Sequence, residues 1–259
     1  MTTQTAGDLL RHWRLERRLS QLELAGRAET STRHLSFIET GRATPSRTML
    51  VHLCEQLEVP LRERNRLLLA AGYAPVYGEP SLDSLAMAPV RDAMRQLLVG
   101  LEPFPALAID QNWNIVDVNA GMALMLEGID PALFTAPANA LRLSLHPDGM
   151  AGRIINLAEW RGHLFERMTR GIEATGSPEL IALLAELREY PGGEIELSLP
   201  APDQVVVPLR LRHDGQELSF ISATTVFGTP MNVTVAELAI ESFYPADVAT
   251  KKLLTSAPS

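Results

Sequence analysis

Between Gln21 and Arg42 the chain gathers side chains suited to gripping a polyanion. Arg33 carries a planar fork of N–H donors that matches the O6/N7 edge of guanine. Thr32 and Ser36 lie one helical turn apart, with hydroxyls suited to base edges or phosphate oxygens. Phe37 offers an apolar surface to a thymine methyl, or half of a core contact. Gln21 opens a helical stretch, where a side-chain amide and unpaired backbone N–H groups hold a phosphate. Arg42 follows in a turn and reaches the same backbone. Ser31 starts the segment, and His34 is either a surface residue or a phosphate contact.

Rival chemistries lack their residues. The six histidines are scattered without metal-ligand spacing. His163 shares one helical face with Glu159 and Glu166, which reads as a solvated polar face rather than a metal site. There is no Gly-rich phosphate loop, His-Glu-x-x-His or Gly-x-Ser-x-Gly. The expectation is a protein that is not an enzyme, with no metal and no obligatory cofactor. Cys54 is the single cysteine, so no intramolecular disulfide forms. Its place in Leu50-Val51-His52-Leu53-Cys54 makes it a buried small hydrophobe.

The elements that must position these residues follow from apolar periodicity. Leu9, Leu10 and Trp13, then Leu22, Leu24 and Ala25, then Leu35 and Ile38, then Leu50, Leu53 and Leu57, then Leu67 and Leu68 recur at helical spacing. Ser20 with Glu23 forms a capping box, and Ser31 and Ser46 mark further helix starts. Five helices are predicted near 9–17, 21–28, 32–39, 46–57 and 61–71. Leu35 and Ile38 turn inward, which leaves Thr32, Arg33, Ser36 and Phe37 outward. Ala25 is small enough to let two helices cross closely.

Charge divides the chain in the same place. Residues 1–75 hold 11 basic and 8 acidic residues, a net of +3, and residues 76–259 hold 12 and 23, a net of −11. A basic head on an acidic body suits a chain whose head meets nucleic acid. Three segments are expected: a head at 1–75, a linker and connecting helix at 76–100 (the helix over 81–100), and a second domain at 101–259. In that domain 106–109 and 114–118 form a hairpin, a helix runs from Asn119 to Leu126, and Asn119 caps it. Residues 151–187 are mainly helical, broken near 176–178, and 194–199, 205–211 and 218–226 read as strands. No apolar run is long enough for a membrane span, and the polar N-terminus lacks a signal core, so the chain reads as cytoplasmic with no membrane partner.

The run Arg11-His12-Trp13-Arg14, Leu19-Ser20-Gln21-Leu22-Glu23-Leu24-Ala25, Ser31 to Glu39 and Gly41-Arg42-Ala43-Thr44-Pro45-Ser46 closely resembles the Xre/Cro-type helix-turn-helix family. The resemblance implies an all-α, five-helix, lambda-repressor-like DNA-binding domain, in which Gln21 contacts phosphate and the helix from Thr32 enters the major groove. Pro60-Leu61-Arg62-Glu63-Arg64-Asn65 and Leu67 to Pro75 are similar to the subgroup of regulators with an MmyB-like ligand-binding domain. The stretch Pro105 to Asn119, and more loosely 139–147, 156–160 and 179–187, resembles that subgroup's α+β, PAS-like C-terminal domain.

The resemblance implies a transcription regulator, a repressor, that binds double-stranded operator DNA as a homodimer. It also implies a small apolar effector, a fatty acid or related acyl molecule. Met122, Met125, Leu126, Phe134, Trp160, Phe165, Phe220 and Phe227 are candidates for lining its pocket, though each also serves as ordinary core. A charged headgroup would need a cation, for which Arg142, Arg153 and Arg161 are candidates. The alternative is a protein-interaction module joined to a lipid-binding or carrier domain, without specific DNA binding.

Overall fold

The computed structural model of the chain describes residues 4–193 and 206–256. The chain separates into two compact units: the first holds residues up to Glu79 with 173–175 and 230–236, and the second holds the remainder.

The first unit contains α1 (Ala6–Glu16), α2 (Gln21–Arg27), α3 (Thr32–Glu39), α4 (Arg47–Gln56) and α5 (Leu61–Ala70). Side-chain oxygens of Thr5, Ser20, Ser31 and Ser46 accept the orphan N–H groups that open the first four. Thr5/Asp8 and Ser20/Glu23 are reciprocal capping boxes. The apolar stripes converge on one core, with Leu10, Leu24, Leu35, Leu50, Leu53 and Leu67 fully buried. Each such leucine contributes about 1.5–3 kcal/mol. Gly7 lets α1 approach α3, since a Cβ there would stand 2.4 Å from the Ile38 carbonyl oxygen.

Residues 76–79 are tied to α5 by hydrogen bonds, with Tyr77 half-buried and Val76, Gly78 and Glu79 exposed. Asn65, itself buried, accepts from the Val76 and Tyr77 amides and donates to the Tyr77 carbonyl and Glu79. Arg62 pairs with Glu79 at 2.9 Å.

The second unit begins with α6 (Ala88–Gly100). The sequence predicts this helix from residue 81. It starts later, after a 3-10 turn over Leu85–Met87, because Pro89 in the first turn has no N–H to offer and favours a helix start there. There follow β1 (Ala106–Ile109), β2 (Ile115–Val118), α7 (Ala123–Leu126), α8 (Ala140–Leu145), α9 (Leu157–Thr175) and α10 (Pro178–Arg188). After them come β3 (Leu209–His213), β4 (Gln216–Val226), α11 (Val233–Ala236, in the first unit), β5 (Ala239–Pro245) and α12 (Val248–Ser256).

The five strands form one antiparallel sheet in the order β2-β1-β5-β4-β3, the PAS-like α+β arrangement. Its faces follow the two-residue alternation of strands. Ala106, Ala108 and Ile240 pack against Met94 and Leu98 of α6. Leu107, Ile109, Phe220 and Phe243 point the other way, into the large core shared with α7 to α10.

Several expectations shift. The strand predicted at 205–211 begins only at Leu209, since Pro208 immediately before it cannot donate to a ladder. The strand predicted at 194–199 lies outside the described residues. The helix predicted from Asn119 to Leu126 is a 3-10 turn (Ala120–Met122) leading into α7. Asn119 makes no capping bond. Its buried side chain accepts from the Ala106 amide at 2.9 Å and donates to the Leu98 and Phe104 carbonyls, tying α6 to β1. Among the described residues no helix is long and apolar enough to cross a membrane.

Candidate DNA-reading helix and ligand cavity

The turn between α2 and α3 is tight. It closes through Glu29, which sits at φ 49° in the left-handed region, and through the Thr30 amide donating to the Ala25 carbonyl. Ala25 is buried at this junction. Leu35, Ile38 and Glu39 anchor α3 from within. Arg33 is exposed, and Thr32, His34, Ser36 and Phe37 are half-buried along the same outer side. Ser31 is exposed and caps the helix by accepting from the His34 amide at 3.1 Å. Arg33 stands 5.4 Å from the Phe37 ring centroid, a cation–π contact one helical turn apart that leaves the fork of donors facing solvent. Arg42 is exposed in the turn after α3.

Gln21 and Glu39 have roles that tie the helices together. Glu39 is buried, accepts from Arg14 at 2.7 and 2.9 Å, and accepts from the Gln21 amide at 2.8 Å. The bond to Glu39 raises the Arg14 pKa. Arg17 donates to the Leu57 and Glu58 carbonyls just after α4 and lies over Trp13. These partners are 18 to 41 positions distant, beyond the reach of any local pattern.

The second unit encloses a small apolar cavity of about 60 Å³ on the core side of the sheet. Met122, Met125 and Trp160 line it, as do Leu107, Trp113, Ile115, Met150 and Phe243. Of the other residues considered from sequence, Leu126 also lines it. Phe165 and Phe220 are buried in the surrounding core, Phe134 is exposed in a 3-10 turn, and Phe227 is half-buried just beyond β4.

The three arginines proposed for a headgroup are engaged elsewhere. Arg142 makes a bidentate pair with Glu186, Arg153 donates to the Leu124 and Met125 carbonyls, and Arg161 donates to carbonyls at the end of α10. The cation at the cavity is Arg167 of α9. It pairs with buried Glu241 of β5, donates to Thr224 at 3.0 Å, and stands 4.7 Å from the Trp113 ring centroid. Trp113 is held at φ 64° in the β1–β2 turn, which Asp110 braces by accepting from the Asn112 and Asn114 amides. Glu241 lies 74 residues from Arg167, so spacing offered no signal for the pair.

A basic helix-turn-helix unit joined to a PAS-like domain with an internal cavity defines the class of ligand-regulated transcription regulators. Family comparison agrees: residues 5–67 match a helix-turn-helix domain, and residues 90–257 match the MmyB-like transcription regulator ligand binding domain. With well over half its length in that match, the chain belongs to the MmyB-like transcription regulator family. A search of curated proteins found no match.

Proposed function

We propose that the protein is a sequence-specific repressor that reads operator DNA with α3 and is controlled by a small apolar, acyl-type ligand such as a fatty acid. The observation that carries the reading is the division of α3 into an inner edge of Leu35, Ile38 and Glu39 and an outer edge bearing Arg33, Thr32, Ser36 and Phe37. Arg33 reads a guanine edge, Ser31, Thr32, Ser36 and His34 contact bases or phosphates, and Gln21 and Arg42 hold the backbone to either side. Two copies related by a two-fold axis match a palindromic operator with half-sites about one helical turn apart.

In this reading the cavity bounded by Met122, Met125 and Trp160 receives the ligand. Its volume of about 60 Å³ is small beside the ~300–1,000 Å³ of drug-sized ligand sites. An acyl chain therefore enters only if side chains move. The three methionines on the wall are the residues whose unbranched thioethers repack most readily. That repacking gives the ligand its different affinities for two states, the condition for it to shift one into the other.

The test is a gel-shift titration on the DNA upstream of the protein's own gene, with unrelated DNA as competitor. A specific complex is expected, weakening steeply as salt rises because each neutralised phosphate releases counterions. Binding that does not distinguish the two DNAs would overturn the proposal.

A further inference from the structure

His163, Arg167 and Arg170 follow one another on α9 at spacings of four and three residues, which places them on one helical face. They share the walls of an open groove of about 400 Å³ with Ser222 and Thr224, two residues apart on the same side of β4. This convergence of cationic and hydroxyl groups stands in a half of the chain that is otherwise acidic, with 12 basic and 23 acidic residues after position 75.

The donors of the groove are only partly used. A guanidinium offers five N–H donors. Among the described residues Arg167 commits three of them, one on Nη1 and two on Nη2, to Glu241 and Thr224, which leaves the Nε hydrogen and one on Nη1. Both Glu241 oxygens are taken up by Arg167, and Oε1 also accepts from the Thr224 hydroxyl. Arg170 is exposed and, among the described residues, pairs with Glu166 at 3.8 Å, a solvated contact of small energetic value. The groove therefore holds spare donors from Arg167 and Arg170, beside the Ser222 hydroxyl and the His163 ring.

We propose that this groove is a binding site for a phosphate-class dianion, held between the Arg170 and Arg167 guanidinium groups with Ser222 and His163 as further donors. The site is independent of the DNA-reading and apolar-ligand roles, yet it touches the cavity through one residue. Arg167 lines both, so an anion in the groove shares the guanidinium with Glu241 and alters the polar end of the cavity.

His163 adds a pH signature. Burial against the protein, and then the Arg167 charge, hold its pKa below the ordinary value. Arg170 acts in the same sense, and Glu166 and Glu241 oppose it. The ring is therefore neutral at pH 7, and a bound dianion favours its protonation. Binding takes up a proton and tightens as pH falls.

Calorimetric titration of the full-length protein with inorganic phosphate and with sulfate, against a chloride control of equal ionic strength, tests the site. Saturable binding is expected, at least tenfold weaker in Arg170→Ala and intermediate in Arg170→Lys. The thermal melt of each variant checks its fold. Sulfate, which does not titrate in this range, is expected to bind more tightly at pH 6 than at pH 8, with that slope flattened in His163→Gln. No saturable binding beyond chloride, or undiminished binding in both Arg170 variants, would overturn the proposal.

Discussion

The Arg14 guanidinium donates to both oxygens of the Glu39 carboxylate, Nε to Oε1 at 2.7 Å and Nη2 to Oε2 at 2.9 Å, and so fastens α1 to the end of α3. The Gln21 amide adds the start of α2 to the same carboxylate. The helix proposed to read DNA is thus held from inside the domain by a buried charge pair, while its outer edge stays free.

Removing one partner of that pair strands the other charge. Glu39→Ala is expected to cost the first unit about 3–5 kcal/mol, whereas the apolar double replacement Arg14→Met with Glu39→Leu costs much less. Urea unfolding of the full chain and its single and double variants measures both. Equal losses in the single and the double variant would show that the pair is not the fastening.

Asn119 gives a second test. Its side chain satisfies one amide and two carbonyls that no other side chain reaches in the described structure. Asn119→Asp keeps the acceptor, loses both donors and buries a charge. It is expected to destabilise the second unit by about 3 kcal/mol, from the cost of unsatisfied buried polar groups. A thermal melt that moves by less than a degree would contradict this role.

Cys54 is expected to be inert. Burial pushes its thiol from the ordinary 9.0 up to about 12, so the reactive thiolate is scarce at neutral pH. A maleimide should label the native protein only as fast as it unfolds. The linkage sign follows from the raised folded pKa: the contribution is constant below about pH 8 and falls as pH rises past 9 toward 12, where the unfolded chain loses its proton first. Rapid labelling of folded protein at pH 7 would refute the assignment.

The first unit was largely legible in sequence because its signals are local. Capping serines precede four-residue apolar stripes, and each predicted helix lies within about three residues of its place. The second unit was less so. β5, the middle strand of the sheet, went unread because Glu241 and Ser242 are buried there and break the apolar alternation. What makes Glu241 tolerable is Arg167, on an element far away in sequence. Asn119 has the structural role its type predicts but with other partners, since its side-chain bonds reach α6, β1 and Phe104 in the loop between them. The cavity was legible as a tendency of methionine and tryptophan, and its walls required the fold: Met122, Met125 and Trp160 reach it, while Phe220 serves the core around it.

The most direct test of the central claim is methylation interference on the bound operator. If Arg33 grips a guanine edge, N7 methylation of one guanine in each half-site blocks the wild-type protein, and in Arg33→Ala that single position becomes indifferent with affinity lowered about five- to 150-fold, the equivalent of ~1–3 kcal/mol. An unchanged interference pattern in Arg33→Ala would contradict the assignment of α3 as the reading helix through this residue.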